Sequence, residues 1–136
     1  MNLVSIRMIT ADIRQITAFY EKITSKRFTF YTDDFAELAT EHCVLAIGST
    51  KTLQAFGESD MAQPASNRSV IIEFMVADTE REYQRLEEFL KDRIVQMPTT
   101  MPWGNRSFLF RDPDGNLVNF FTPVSPEALK KFKAGK

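Results

Sequence analysis

Pro102-Trp103-Gly104-Asn105-Arg106-Ser107-Phe108-Leu109-Phe110-Arg111-Asp112-Pro113-Asp114-Gly115-Asn116-Leu117-Val118-Asn119-Phe120-Phe121 is the stretch whose reading decides the fold. Ser107 to Arg111 and Leu117 to Thr122 are rich in β-formers, and Asp112-Pro113-Asp114-Gly115 lies between them. Pro113 presets φ at the first central turn position, Asp112 can bond the turn backbone, and Gly115 tolerates φ > 0. The segment is therefore expected to be two strands joined by a turn. Taken alone, such a hairpin reports geometry rather than chemistry.

Working outward to the N-terminus, Leu3 to Thr10 is a β-rich run followed by Asp12. Asp12 is a candidate N-cap with Gln15 at capping-box spacing. Ile13, Ile16, Phe19, Tyr20 and Ile23 then recur at helical spacing and predict one apolar stripe. Three short strands are expected at Arg27 to Thr32, Phe35 to Thr40 and Val44 to Gly48, with Asp33-Asp34 and Glu41-His42 as polar breaks. Gly48 to Arg68 has no clear period and reads as a connection, with an edge segment around Thr52 to Phe56. Ser69 to Val76 is a further strand, and Asp78 is expected to cap a helix with Tyr83, Leu86, Phe89 and Leu90 inward. Ile94 to Pro98 precedes the hairpin. Pro126 to Lys133 is a candidate terminal helix, with Ser125 as N-cap and Pro126 at its first position.

The order thus repeats. An offset of 66 residues lays Val4, Ile6, Met8 and Asp12 on Val70, Ile72, Phe74 and Asp78, and lays Tyr20 and Ile23 on Leu86 and Phe89. Such internal self-similarity is evidence of a duplicated unit. With it, the pattern Pro-Trp-Gly, Arg, Phe, Asp-Pro-Asp-Gly-Asn and an aromatic strand resembles the last hairpin of the vicinal oxygen chelate superfamily. That superfamily includes glyoxalase I, extradiol dioxygenases and bleomycin-resistance proteins, and the likeness runs from about Leu3 to Phe121. It implies an α+β fold of two repeated β-α-β-β-β modules forming a half-open, eight-stranded, barrel-like sheet around a cleft. One domain over residues 1–136 is expected, with modules at about 3–48 and 69–123, a connection at 49–68 and a tail or helix at 124–136.

Composition bounds the function. The chain has 136 residues, with 43% hydrophobic and 26% charged side chains, as in ordinary globular proteins. A formal net charge of −1 argues against nucleic acid, whose phosphates call for a basic face. No run approaches the roughly 18 apolar residues of a membrane span. Met1-Asn2-Leu3-Val4-Ser5 lacks the features of a signal peptide, and Cys43, the sole cysteine, excludes an internal disulfide, so a cytoplasmic location is expected. Cys43 itself reads as a small buried hydrophobe.

Strand side chains alternate between faces. Val4, Ile6 and Met8, like Val70, Ile72 and Phe74, should face the helices. The other parity holds Ser5, Arg7 and Ile9 in one half and Ile71, Glu73 and Met75 in the other, and in folds that this chain resembles that face lines the cleft. Arg7 and Glu73 are related by the offset. They either pair with each other or meet a polar group of a ligand, because a charge in an apolar cleft needs a partner.

Metal-dependent members of the family use His, Gln or Glu at four strand positions. Carried over, these positions fall on Ser5, Ile71, Asn119 and a residue near Ala46. Such side chains do not make a transition-metal site, which needs imidazole, carboxylate or thiolate. His42, the one histidine, is expected at the surface, and Asp33-Asp34 reads as a solvated turn. No metal, cofactor or catalytic residue is therefore assigned.

The hairpin resembles that of bleomycin-resistance proteins more than that of the metal enzymes. Those proteins bind their drug without metal, in grooves between two subunits, and Trp103 stands where the family has a tryptophan beside the groove. Trp103 is equally readable as a hydrophobic plug before the hairpin. Bleomycin-binding relatives are acidic, whereas this chain is nearly neutral, so a smaller, mostly apolar or aromatic ligand with one polar group is expected. Thr24-Ser25 stands where the family carries Leu-Gly, so the turn after the first helix should differ.

The leading reading is a metal-free small-molecule-binding or sequestering protein that acts as a homodimer. Its candidate ligand-binding residues are Arg7, Glu73, Trp103, Asn119, Phe121, Ser5 and Ile71. An enzyme with a non-standard site and a structural or regulatory dimer without a ligand are the alternatives.

Overall fold

A computed structural model describes residues 1–57 and 60–134, the side chain of residue 134 excepted. The chain divides into two units, Met1–Asn67 with Pro113–Gly115, and Arg68–Asp112 with Asn116–Lys136.

The first unit runs β1 (Ser5–Thr10), α1 (Ile13–Thr24), β2 (Thr29–Thr32), β3 (Phe35–Ala39) and β4 (Val44–Ser49). Its sheet order is β1-β4-β3-β2, with β1 parallel to β4 and the other pairs antiparallel. Helix α1 starts where Asp12 accepts the Gln15 amide at 3.1 Å. Its stripe of Ile13, Ile16, Phe19, Tyr20 and Ile23 is buried, as are Ala36, Leu38, Leu45 and Ile47 of the sheet. Full burial of each such aliphatic side chain contributes roughly 1.5–3 kcal/mol. The helix ends at Ser25, whose φ of 55° is the left-handed geometry that usually selects glycine. The departure from Leu-Gly therefore does not remove the left-handed stop, because serine itself adopts it.

The second unit runs β5 (Ile71–Met75), α2 (Thr79–Leu90), β6 (Ile94–Thr100), β7 (Asn105–Arg111), β8 (Leu117–Pro123) and α3 (Pro126–Ala134). Its sheet order, β5-β8-β7-β6, repeats that of the first unit, again with one parallel pair. Both units are thus four-stranded mixed sheets with a helix in a β-α-β-β-β order, and the fold is α+β. The 66-residue offset carries Ile13–Thr24 onto Thr79–Leu90, and positive φ recurs at Lys91, the counterpart of Ser25. Asp78 caps α2 by accepting the Arg81 amide at 3.2 Å. Leu86 and Leu90 are buried beneath it, and Tyr83 meets Phe108 edge-on at 5.3 Å. On the same side of the sheet, the Phe120 ring lies 5.6 Å from Phe74 and 5.2 Å from Phe110.

Four expectations need correction. Thr50–Phe56 is a short 3-10 helix rather than an edge segment, because Ser49 accepts the Lys51 amide and Thr52 bonds back to the Ser49 carbonyl. Phe89 is 43% exposed, at the rim of the α2 stripe rather than inside it. Val4, Ile6 and Val70 are exposed rather than covered, Val4 and Val70 lying just before the first residues of β1 and β5, and burial along β1 starts only at Met8. Cys43 is half-buried, in a tight turn where the Thr40 amide and hydroxyl both donate to the Cys43 carbonyl.

The hairpin forms as expected. The Asp112 carboxylate accepts the Asn116 backbone N–H at 2.9 Å and the Asn116 side-chain amide at 2.8 Å, and Gly115 takes φ of 85°. The closed turn holds β7 and β8 in the register that pairs Leu109 with Asn119 and Ser107 with Phe121.

Candidate functional site

In the first unit, the sheet face away from α1 carries Ser5 and Arg7 on β1, Ala46 on β4, and Phe35 and Glu37 on β3, as the registers Arg7–Ala46 and Glu37–Ala46 require. Arg7 is exposed, and its guanidinium carbon lies 4.8 Å from the Phe35 ring centroid. That is a cation–π contact, worth roughly 0.5–1 kcal/mol at an exposed site. Phe35 also meets Tyr31 at 6.1 Å. Ser5 is exposed at the start of the strand. His42 and the two adjacent aspartates stand apart from this face. His42 is exposed in the turn before β4 with Glu41 3.9 Å away, Asp33 pairs with Arg14 at 3.7 Å, and Asp34 accepts the Ser49 hydroxyl at 2.7 Å.

In the second unit, parity separates an aromatic face under α2 from a mixed face opposite. Register places Ile71, Leu117 and Arg111 in one row of the mixed face, Glu73, Asn119, Leu109 and Gln96 in the next, and Met75, Phe121, Ser107 and Thr99 in a third. Of the expected residues, Glu73, Asn119, Phe121 and Ile71 thus share one face. Ile71 is exposed. Asn119 is 7% exposed and donates its Nδ2–H to Glu73 Oε2 at 2.9 Å. A carboxylate only accepts, so this bond fixes the amide orientation and leaves Asn119 Oδ1 as an acceptor. Asn119 Oδ1 is buried without a donor, as are Ser107 Oγ, Gln96 Oε1 and Asn105 Oδ1.

Phe121 is already packed. Helix α3 lies against β8, and its Phe132 ring sits 5.1 Å from the Phe121 ring. The helix starts where Ser125 accepts the Ala128 amide at 3.1 Å, and the Gly104 carbonyl accepts the amides of Val124 and Ser125. Gly104 has φ of 93°, and a Cβ there would stand 2.0 Å from Ser125 Oγ, so only glycine permits this approach. Trp103, its neighbour, is 66% exposed in the β6–β7 connection, so a plug is the wrong description of it.

The sequence reading missed Gln96, Asn105, Ser107 and the Phe132 cover. Ser107 was within reach, since it alternates with Phe108 and Phe110. Gln96 was not, because the β6–β7 register slips between Ile94 and Gln96 and again before Thr99.

The divalent metal that the family resemblance implies does not fit these side chains. Ala46 offers a methyl group, Ile71 a hydrocarbon and Ser5 a neutral hydroxyl, while Asn119 turns an N–H donor toward Glu73. Hard and borderline cations need carboxylate, imidazole or thiolate donors in a set. Among the described residues, no three of His, Cys, Asp or Glu converge as ligands. No described helix is long and apolar enough to cross a membrane.

Comparison with known proteins places this geometry. The family model described as the glyoxalase/bleomycin resistance protein/dioxygenase superfamily matches residues 2–120. A search of curated proteins gives no match. Among solved structures, the chain is similar to a glyoxalase/bleomycin resistance protein/dioxygenase family enzyme from Burkholderia phytofirmans PsJN. The two are 15% identical with a TM-score of 0.77, over 91% of this chain and 100% of that one. It is similar to a glyoxalase/bleomycin resistance protein/dioxygenase from Nocardioides at 18% identity and a TM-score of 0.74, over 93% and 85% of the two chains. A glyoxalase-related enzyme from Fulvimarina pelagi, 16% identical, has a TM-score of 0.74 over 93% and 94%. At these identities the structural likeness is one of fold. With the duplicated β-α-β-β-β order on one side and a family match spanning nearly the whole sequence on the other, this chain belongs to the glyoxalase/bleomycin resistance protein/dioxygenase superfamily.

Proposed function

We propose that this protein is a metal-free small-molecule-binding member of its superfamily, using the sheet face that carries Glu73 and Asn119, and working as a homodimer. The observation that carries the reading is Asn119. It occupies the last-strand position where the metal enzymes present a glutamate, yet it is buried and bonded to Glu73, with an acceptor left over. Buried polar groups in folded proteins nearly always have partners, so an unmatched acceptor on a functional face supports a ligand or ordered water there. Ile71 and Met75 beside it supply apolar surface, and Trp103 supplies an exposed ring.

The test combines metal analysis with titration of Trp103 fluorescence. The only tryptophan of the chain is exposed, so a change in emission has one source. The expected result is sub-stoichiometric metal after reloading with zinc, nickel or manganese, and saturable quenching by an aromatic compound. One tightly held metal ion per chain would overturn the reading. Light scattering should give twice the chain mass, and a monomeric mass would remove the dimer.

The Phe132–Phe121 contact favours one second reading, a structural dimer whose face is filled by its own side chains. Under it, no compound would quench Trp103 saturably.

A further inference from the structure

The unmatched oxygens of the second unit bear on the chemical class of the ligand. Glu73 is exposed and has Oε1 free of the Asn119 bond, so it offers a carboxylate acceptor at the mouth of the face. Asn119 Oδ1 lies behind it on the same register row, buried, with no protein donor. Ser107 is 3% exposed, and its buried Oγ is unmatched on the neighbouring row. The Asn119 orientation does not depend on how the amide was assigned, because the reversed amide would set its oxygen against a carboxylate oxygen. Glu73 Oε1 and Asn119 Oδ1 can only accept, the Ser107 hydroxyl can accept or donate, and the first of the three carries a full negative charge. Arg111, exposed, lies a row away on the same face.

We infer that the face selects a small aromatic cation bearing at least two N–H donors, such as an ammonium or amidinium, one donor meeting Glu73 and another the Asn119 carbonyl oxygen. This inference rests on the small-molecule reading above and specifies its ligand. Carboxylates, enolates and other anions would meet like charge at Glu73 and a second acceptor at Asn119 Oδ1. Neutral alcohols would satisfy one acceptor without balancing the charge. An exposed carboxylate beside a buried, unmatched acceptor is best met by a group that is both cationic and multiply donating.

The experiment titrates the full chain with three ring compounds of matched size, benzamidine, benzyl alcohol and benzoate. It follows the Asn119 side-chain amide by two-dimensional 15N NMR and Trp103 by fluorescence. Benzamidine should bind at least about tenfold more tightly than benzoate, the ratio expected of one charge-assisted hydrogen bond. Glu73→Gln should weaken benzamidine about tenfold and leave benzyl alcohol within about twofold, since an amide keeps the shape and loses the charge. Glu73 is exposed, so the variant should fold, and its NMR dispersion checks this. A preference for benzoate, or benzamidine binding untouched by Glu73→Gln, overturns the inference and leaves small-molecule binding standing. Failure of all three compounds to shift either probe overturns the small-molecule reading and the inference together.

Discussion

Replacing Asp112 with alanine tests whether the turn is what holds the site-bearing hairpin. The side chain is 1% exposed and accepts two hydrogen bonds from Asn116, at 2.9 Å from the backbone and 2.8 Å from the side-chain amide. Hydrogen bonds to a charged group contribute about 1.5–3 kcal/mol each, and the two share one carboxylate, so their loss is less than additive. The alanine variant also strands two N–H groups on Asn116, itself 7% exposed, without water to replace the carboxylate. Together these give a destabilisation of about 3–4 kcal/mol, or a melting temperature lower by about 10 °C for a chain of this size. Asp112→Asn is the graded control. It keeps an acceptor for the backbone N–H but sets one amide nitrogen against another, and should cost about half as much. Urea unfolding followed by Trp103 emission and by circular dichroism reads both. A loss under about 1 kcal/mol for Asp112→Ala, or a neutral Asp112→Asn, would refute the view that the carboxylate clamps the turn.

Four further outcomes are expected. Leu86→Ala, at a fully buried position under α2, should cost about 2–5 kcal/mol, whereas Phe89→Ala at the exposed rim should cost under about 1 kcal/mol; equal losses in urea unfolding would mean that the helix is rotated from the orientation described. Gly104→Ala should destabilise by more than about 1 kcal/mol through strained φ and the clash with Ser125, and should raise the proteolytic susceptibility of α3 before that of the sheet. Ser25→Gly should stabilise by about 0.5–1 kcal/mol, because glycine meets the left-handed stop without Cβ strain; a loss of stability would show that the Ser25 geometry is misread. Tyr83 gives the pH prediction. Desolvation beside the sheet, and then the Glu87 carboxylate, raise its phenol above the ordinary value. The neutral form is therefore favoured in the folded state, so the associated stability is complete below the unfolded pKa and is lost as pH rises through the folded one. Ultraviolet titration of the folded protein and of Tyr83→Phe should differ by one phenol, and that phenol should ionise later in the folded protein than in urea.

Much of this protein follows from the order of its residues alone. The 66-residue repeat, the caps at Asp12 and Asp78, the helix stripe of Ile13 to Ile23 and the Asp112–Gly115 turn are local or periodic signals. Each is set by spacing within a few residues, so tertiary packing had little room to overrule it. Strand parity alone puts Glu73, Asn119, Phe121 and Ile71 on one face. What tertiary structure decided is what occupies that face. Which atom of Asn119 meets Glu73 depends on two strands brought side by side, and it is this pairing that leaves an amide oxygen unmatched. The approach of α3 to Phe121 depends on Gly104 and Ser125 meeting across a loop and a helix start, and the slips that bring Gln96 onto the Glu73 row belong to the β6–β7 ladder. Hydrogen-bond pairing and side-chain cover arise between segments distant in sequence, and a pattern of period two or 3.6 specifies which face a residue takes but not what it will meet there.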